Sequence, residues 1–281
     1  MIETTTDPSA LRRRCDDERK KGQRVGFVPT MGFLHHGHVS LIERCRDVAD
    51  FVVVSIFVNP TQFGPNEDLE SYPRDAEGDR DKCQKAGADL IFAPPVSAIY
   101  PEGHRTSVSV QDLGDGLCGA KRPGHFDGVC TVVSKLFNMV GPAVAFFGEK
   151  DYQQLQIIKQ MTRDLDFPIE VLSGPTIREP DGLAMSSRNA YLTPEHRRQA
   201  TCLNRGLTAI ADAARKAPLP ASRAVQIAKE IVEAENDARI DYLEIRHSGN
   251  LQPSDQVGLG QSVVAIAVFF GSTRLIDNRV I

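Results

Sequence analysis

Hydrophobic and polar positions divide the chain into two stretches of different order. In the first, short apolar runs alternate with segments of helical spacing. Val25–Val28 predicts a short strand, and Gly37–Arg46 brings Val39, Leu41, Ile42 and Cys45 onto one helical face. Phe51–Val58 is rich in β-branched residues and reads as a strand buried on both faces. Asp75–Ala86 then predicts a helix, Asp89–Ala93 a strand, Val129–Val140 a helix and Ala143–Phe147 a strand. Asp151–Leu165 follows as a helix and Ile169–Leu172 as a strand. This order implies an α/β fold with a doubly wound parallel sheet. Such sheets bind ligands at the carboxyl ends of their strands, so chemistry is expected just after Val28, Val58 and Phe147. Beyond Ile177 the order changes. A loop rich in Gly, Ser and Asn (Arg178–Asn189) precedes two long helical patterns, Pro194–Arg215 and Ala221–Asn236, and two strands, Ile240–Arg246 and Val263–Phe270. The expected organisation is a sheet domain over residues 1–176 and a smaller α+β domain over residues 177–281.

Composition narrows the function. Of 281 residues, 41% are hydrophobic and 25% charged, enough apolar surface for a full core. The net charge of −4 excludes a general nucleic-acid binder, so any phosphate recognition must be local. The six Cys are scattered, with no C-x-x-C, which predicts reduced thiols rather than a disulfide framework or zinc site. The first twenty residues alternate acidic and basic side chains without an apolar core, so no signal peptide is expected. The longest apolar runs are of strand length, which predicts no membrane span and a cytoplasmic protein.

Four segments carry candidate chemistry. The first, Pro29 to His38 (PTMGFLHHGH), leaves a predicted strand and opens a predicted helix. His35 and His38 are three apart across Gly37, so in a first helical turn both rings point the same way. Free N–H groups and the helix dipole there favour an anion such as triphosphate. The second, Asn59-Pro60-Thr61-Gln62, offers amides that orient carboxylate and hydroxyl oxygens without adding charge. The third, Gly148-Glu149-Lys150-Asp151, puts a cation for phosphate at a strand end, with Asp151 as a candidate helix cap and Gln154 one turn on. The fourth, Asp181 to Asn189 (DGLAMSSRN), is expected to be a mobile, donor-rich loop that closes on departing pyrophosphate. Together they describe an ATP site whose α-phosphate is attacked, with no Ser–His–Asp or Cys–His nucleophile pattern.

An H-x-G-H turn followed by an M-S-S-R loop is similar to the HIGH and KMSKS layout of the nucleotidyltransferase superfamily. Within it, PTMGFLHHGH, VSIFVNPTQFG, YPRD, FFGEKDYQQL and DGLAMSSRN resemble the pantothenate synthetase (pantoate–β-alanine ligase) family, over nearly the whole chain. The resemblance implies a Rossmann-like domain with a C-terminal lid, and cytoplasmic homodimers. The reaction it implies joins (R)-pantoate to β-alanine through a pantoyl adenylate, using ATP and Mg²⁺ and releasing AMP and pyrophosphate. It assigns Met31, Gly32, His35, Gly37 and His38 to ATP, with His38 as proton donor. Gly148, Glu149, Lys150, Asp151 and Ile177 would line the nucleotide pocket, and Met185, Ser186, Ser187 and Arg188 would bind phosphates. His35, His38, Lys150 and Arg188 would carry catalysis. Gln62, Gln154, Asn59 and Met31 would hold pantoate, with Gln62 also near β-alanine. Asp79 is the candidate Mg²⁺ ligand in the helix after YPRD, where Gly78 stands at a position often acidic in the family. Alternative readings are a related HIGH-motif enzyme that leaves AMP on its product, a nucleotide sensor without turnover, and zinc binding by the clustered His.

Overall fold

The computed structural model describes residues 2–65 and 67–281. The chain forms two compact units, one of Met1–Glu149 with Ile157–Pro175 and the other of Lys150–Gln156 with Thr176–Ile281. In chain order the elements up to Gly174 are β1 (Glu3–Thr5), α1 (Pro8–Lys20), β2 (Val25–Thr30), α2 (His36–Arg46), β3 (Phe51–Ile56), α3 (Ala76–Lys85), β4 (Leu90–Phe92), α4 (Val96–Ile99), α5 (Leu117–Lys121), α6 (His125–Val140), β5 (Ala143–Gly148), α7 (Tyr152–Asp164) and β6 (Ile169–Gly174).

The first unit is built on a six-stranded sheet in the order β1-β4-β3-β2-β5-β6. Every neighbouring pair is parallel. From β2 the chain steps outward through β3 to β4, then returns to the other side of β2 for β5 and β6. That reversal makes the carboxyl ends of β2 and β5 the topological switch point. One face is covered by α2, whose Leu41, Ile42 and Cys45 pack with Val28, Val52, Val54, Val144 and Phe146. On the other, Phe137 of α6 meets Phe27, Phe147 and Phe167 edge-on, with ring centroids 5.6–6.4 Å apart. Strand β3 is buried on both faces, as its β-branched run predicts.

Ahead of β2, two elements extend the expected layout. β1 adds a parallel edge strand beside β4, and α1 follows behind an Asp7 cap and Pro8 at its first turn. Helix α6 starts at His125, four residues before the apolar pattern predicts.

The second unit holds α8 (Pro194–Gln199), α9 (Cys202–Lys216), β7 (Leu219–Pro220), α10 (Ala221–Glu233), β8 (Ala238–His247), β9 (Gln256–Val257), β10 (Ser262–Phe270) and β11 (Thr273–Val280). Strands β11, β10 and β8 form an antiparallel sheet, and α9 and α10 share one core with it. The single helix expected over Pro194–Arg215 is two. Thr201 donates its hydroxyl to the Arg198 carbonyl, and Gln199 exchanges two bonds with Asp237, so local side-chain bonds compete with the helical ladder between them.

All six Cys are buried and none is in a disulfide, and burial pushes five of their thiols (Cys15, Cys45, Cys83, Cys130, Cys202) up to about 12. Among the described residues, no helix is long and apolar enough to cross a membrane.

Candidate functional site

The loop after β2 is shaped by backbone geometry that few residues tolerate. Gly32 (φ +82°) and Phe33 (φ +49°) both lie in the left-handed region. A Cβ on Gly32 would lie 3.0 Å from both Asp79 Oδ2 and Ile56 Cγ2, so a side chain there would be strained by the backbone and crowded by both neighbours. Thr30 closes the strand end by donating to Ser55 O (2.8 Å) and accepting from Gly32 N (3.2 Å). The carboxylate of Asp79 on α3 accepts from Phe33 N (2.8 Å) and Leu34 N (2.6 Å). Asp79 is 1% exposed; burial pushes its carboxyl up, with the N–H groups of Leu34 and Phe33 pulling the other way.

His35 and His38 stack as the spacing predicts, with centroids 4.1 Å apart and planes 30° from parallel. They also form the helix cap, a capping box built from imidazoles. His35 Nδ1 accepts from Gly37 N (3.1 Å) and His38 Nδ1 accepts from His35 N (3.4 Å). The free N–H groups expected at the start of α2 are therefore partly taken, since His38 N also donates to His35 O (2.8 Å). Assigned from these bonds, the tautomer puts each ring's proton on Nε2. On each ring Nε2–H is then the donor. His36 is exposed.

After β3, a 3₁₀ turn over Pro60–Gln62 carries the second motif. Asn59 is 1% exposed and every amide function is used inside the protein. Its Oδ1 accepts from Thr61 N, Thr61 Oγ1 (2.9 Å) and Tyr100 Oη (2.8 Å), while Nδ2 donates to Gln62 Oε1 and Gly128 O (both 3.1 Å). Asn59 accordingly orients Gln62 rather than presenting its own amide. Gln62 Nε2 donates to Met31 Sδ (3.2 Å), which ties the first two motifs together and leaves the second amide proton for a ligand. The Gln62 carbonyl meets His125 Nδ1 (2.8 Å) and Arg122 Nη2 (3.3 Å). Arg122 also grips Glu67 through both carboxylate oxygens (2.7 and 2.5 Å). Burial pushes Glu67 up, but the guanidinium outweighs it and holds the carboxyl below its ordinary value. Helix α6 reaches this turn because residue 128 is glycine: a Cβ there would lie 2.6 Å from Thr61 C and 2.7 Å from Gln62 N.

Gly148 ends β5, and Glu149 accepts from Ser173 Oγ (2.8 Å) on β6. Within the second unit, Lys150 is fixed through its carbonyl, which accepts from Asn278 Nδ2 (2.6 Å). Asp151 lies in a 3₁₀ turn that runs directly into α7, where Gln154 is half-buried. The fourth motif is more ordered than its composition predicts. Ile177–Met185 folds back on itself, with Met185 N donating to Ile177 O (3.0 Å) and a bridge between Arg178 and Ala184. Arg178 pairs bidentately with Asp277 (2.6 and 3.0 Å), and Arg197 pairs with Asp181 (2.6 Å). Ser186 then caps a 3₁₀ turn over Ser187–Tyr191 that carries Arg188, and Ser187 itself is buried. Ion pairs, invisible to a loop-composition argument, replace the open loop with a braced hairpin.

A family model described as pantoate–β-alanine ligase matches residues 3–280. The chain belongs to the pantoate–β-alanine ligase family. It is 52% identical over 273 residues to the pantothenate synthetase of Desulfitobacterium hafniense (97% of this chain, 96% of that one). It is 49% identical over 280 residues to that of Desulfatibacillum aliphaticivorans (100% and 99%). The crystal structure of pantothenate synthetase from Thermus thermophilus superposes with a TM-score of 0.93 at 48% identity, covering 99% of each chain. That of the Francisella tularensis pantoate–β-alanine ligase, complexed with β-γ ATP and β-alanine, gives 0.82 at 32% identity over 100% and 98%.

Within the pantoate–β-alanine ligase fold of this chain, the first unit brings together Met31, Gly32, His35, Gly37, His38, Asn59 and Gln62 at the carboxyl ends of β2 and β3. Lys150, Gln154, Ile177, Met185, Ser186, Ser187 and Arg188 belong to the second unit. Sequence reasoning overlooked Tyr100, Arg122, His125 and Gly128. An isolated glycine ahead of an apolar helical pattern is the signal that points to Gly128. Among the described residues no group of three or more His, Cys, Asp or Glu could hold a metal ion, so protein side chains alone build no Mg²⁺ cage there. Both oxygens of Asp79 already serve backbone N–H groups, and the position of Gly78 is spent on receiving the Asp75 cap (2.9 Å).

Proposed function

We propose that this chain joins (R)-pantoate to β-alanine, cleaving ATP to AMP and pyrophosphate by way of a pantoyl adenylate. The observation that carries the reading is the stacked His35–His38 pair together with the Gln62–Met31 bond, at the carboxyl ends of β2 and β3 in a chain matched to the ligase family over residues 3–280. A carboxylate is a poor acyl donor, so one pantoate oxygen attacks the α-phosphorus and the bond to pyrophosphate breaks. The β-alanine nitrogen then attacks the acyl carbon, loses a proton, and AMP departs with the bridging oxygen. Both steps need two anions aligned and phosphate charge stabilised, with no protein nucleophile. His38 and His35 offer Nε2–H to the phosphates, and Gln62 offers its second amide proton to pantoate.

The resemblance supports the remaining roles in this proposal. Lys150, Arg188, Ser186, Ser187 and Met185 bind phosphates, Gly148, Glu149, Asp151 and Ile177 the nucleotide, and Gln154 pantoate. Residues 177–281 act as the lid. ATP enters as its Mg²⁺ complex, with the cation's ligands drawn from triphosphate oxygens and water. The working form is a cytoplasmic homodimer, which light scattering and fractionation test.

Omitting substrates in turn tests the reaction. Exchange of labelled pyrophosphate into ATP should require pantoate and proceed without β-alanine, while net AMP should require both. Stable AMP transfer to an acceptor without β-alanine would instead favour the enzyme that keeps AMP on its product.

A further inference from the structure

We infer that Asp79 is a positioning residue: its carboxylate holds the backbone of Phe33 and Leu34, and through them the His35–His38 pair, and it is not a ligand of Mg²⁺. The catalytic part of this inference rests on the ATP-dependent ligation proposed above; the structural part does not. Asp79 reaches across from α3, 45 residues away in sequence, and takes both N–H groups of the two residues that precede the imidazole cap. Those groups need an acceptor. Phe33 is held at φ +49°, outside the helix and strand ladders. A carboxylate is suited to the place because one side chain supplies two acceptors in a fork, and its charge strengthens both bonds. The loop in turn closes on the carboxylate, since even a Cβ on Gly32 would come within 3.0 Å of Oδ2. A cation entering beside Asp79 would have to share the carboxylate with two backbone amides and would find no further cluster of ligands among the described residues.

Asp79 therefore acts at one remove from the substrates. Freed of it, Phe33 and Leu34 lose the carboxylate they share, and the turn that sets His35 at the helix cap loses its fixed entry. Asp79→Asn keeps the size of the side chain but points an amide donor at one of the two N–H groups.

The decisive readout is amide hydrogen exchange on the nucleotide-free protein. In the unsubstituted chain the Phe33 and Leu34 amides should be protected although they lie in a loop. In Asp79→Asn they should exchange at least about tenfold faster, while amides of β2 stay protected. In kinetics, Asp79→Asn should lower kcat/KM for ATP by roughly 10- to 100-fold through misplacement of the imidazoles. The KM for β-alanine and the Mg²⁺ concentration at half-maximal rate should stay unchanged. A higher Mg²⁺ requirement in Asp79→Asn, with Phe33 and Leu34 exchange unaltered, would overturn the inference and make Asp79 a metal ligand. Uniform loss across all substrates would reduce it to a fold-maintaining residue and overturn the positioning role. Should Asp79→Asn fail to fold, Mn²⁺ added to the unsubstituted, nucleotide-free protein decides. Selective broadening of the Phe33 and Leu34 amide signals would contradict the inference, and its absence together with protected amides would support it. Because the exchange and Mn²⁺ measurements use no substrate, they fail or succeed independently of the proposed ligation.

Discussion

Replacing Gly128 by Ala places the most direct mechanical load on the candidate pantoate site. The added methyl would lie 2.6 Å from Thr61 C and 2.7 Å from Gln62 N, nearer still to Thr61 O, where ordinary contacts begin at 3.4 Å. Helix α6 and the 3₁₀ turn must therefore part by about 0.7 Å or more, because the obstructing atoms are backbone. Overpacking of this kind costs roughly 1–3 kcal/mol, and replacing a helical Gly with Ala returns up to about 1 kcal/mol. The net loss of stability is then about 0–3 kcal/mol, a Tm change of no more than roughly 12 °C. Function should suffer more. The turn carries Gln62, whose amide is held by Asn59 and Met31, and Asn59 itself donates to the Gly128 carbonyl. A shift approaching 1 Å at a substrate-positioning group can cost about 100-fold. Pyrophosphate exchange at varied pantoate should show kcat/KM for pantoate down by roughly 10- to 100-fold, with KM for ATP little changed. A Gly128→Ala protein that is folded and has unaltered pantoate kinetics would refute the link from helix α6 through Asn59 and Gln62 to the substrate.

Three further perturbations probe other parts of the account. Glu67 has its carboxyl held down by Arg122, so its stabilising contribution is full above the unfolded value near 4.5 and is lost as pH falls through the lower folded value. Glu67→Gln should flatten the acid limb of a Tm–pH curve, and an unchanged limb would count against the pair. Arg178→Met strands the buried Asp277 carboxylate and should cost roughly 3–5 kcal/mol in thermal or denaturant unfolding, with Asp277→Asn added to it recovering part of the loss. A native-state thiol assay should titrate close to none of the six buried Cys and all of them after denaturation; rapid labelling of the folded protein would contradict their burial.

Much of the fold can be read along the chain because its central strands are strongly apolar. Val25–Val28, Phe51–Val58 and Ala143–Phe147 stand out as runs, and the helices between them keep a regular stripe. The elements that escape notice lack such runs. Strand β1 has three residues, α1 buries only Leu11, Cys15 and Glu18, and β11 mixes Leu275 and Ile276 with the buried Asp277 and Asn278 and the half-buried Arg274 and Arg279, so no apolar run marks it. The motif residues of the site were legible because each lies within a short segment at a strand end. Their supports were not. Asp79 holds Phe33 from 46 residues away, Tyr100 holds Asn59 from 41, and Gly128 receives the Asn59 amide from 69. Apart from the isolated glycine at 128, nothing in local spacing or propensity marks such partners. The bracing of the Ile177–Met185 hairpin by Asp277 is likewise a contact across 99 positions.

The origin of the oxygen in AMP tests the proposed adenylate most directly. With pantoate labelled by ¹⁸O at both carboxylate positions, attack on the α-phosphorus predicts one label in AMP and one in the amide carbonyl of the product. Unlabelled AMP, or label appearing in pyrophosphate or inorganic phosphate, would contradict the account.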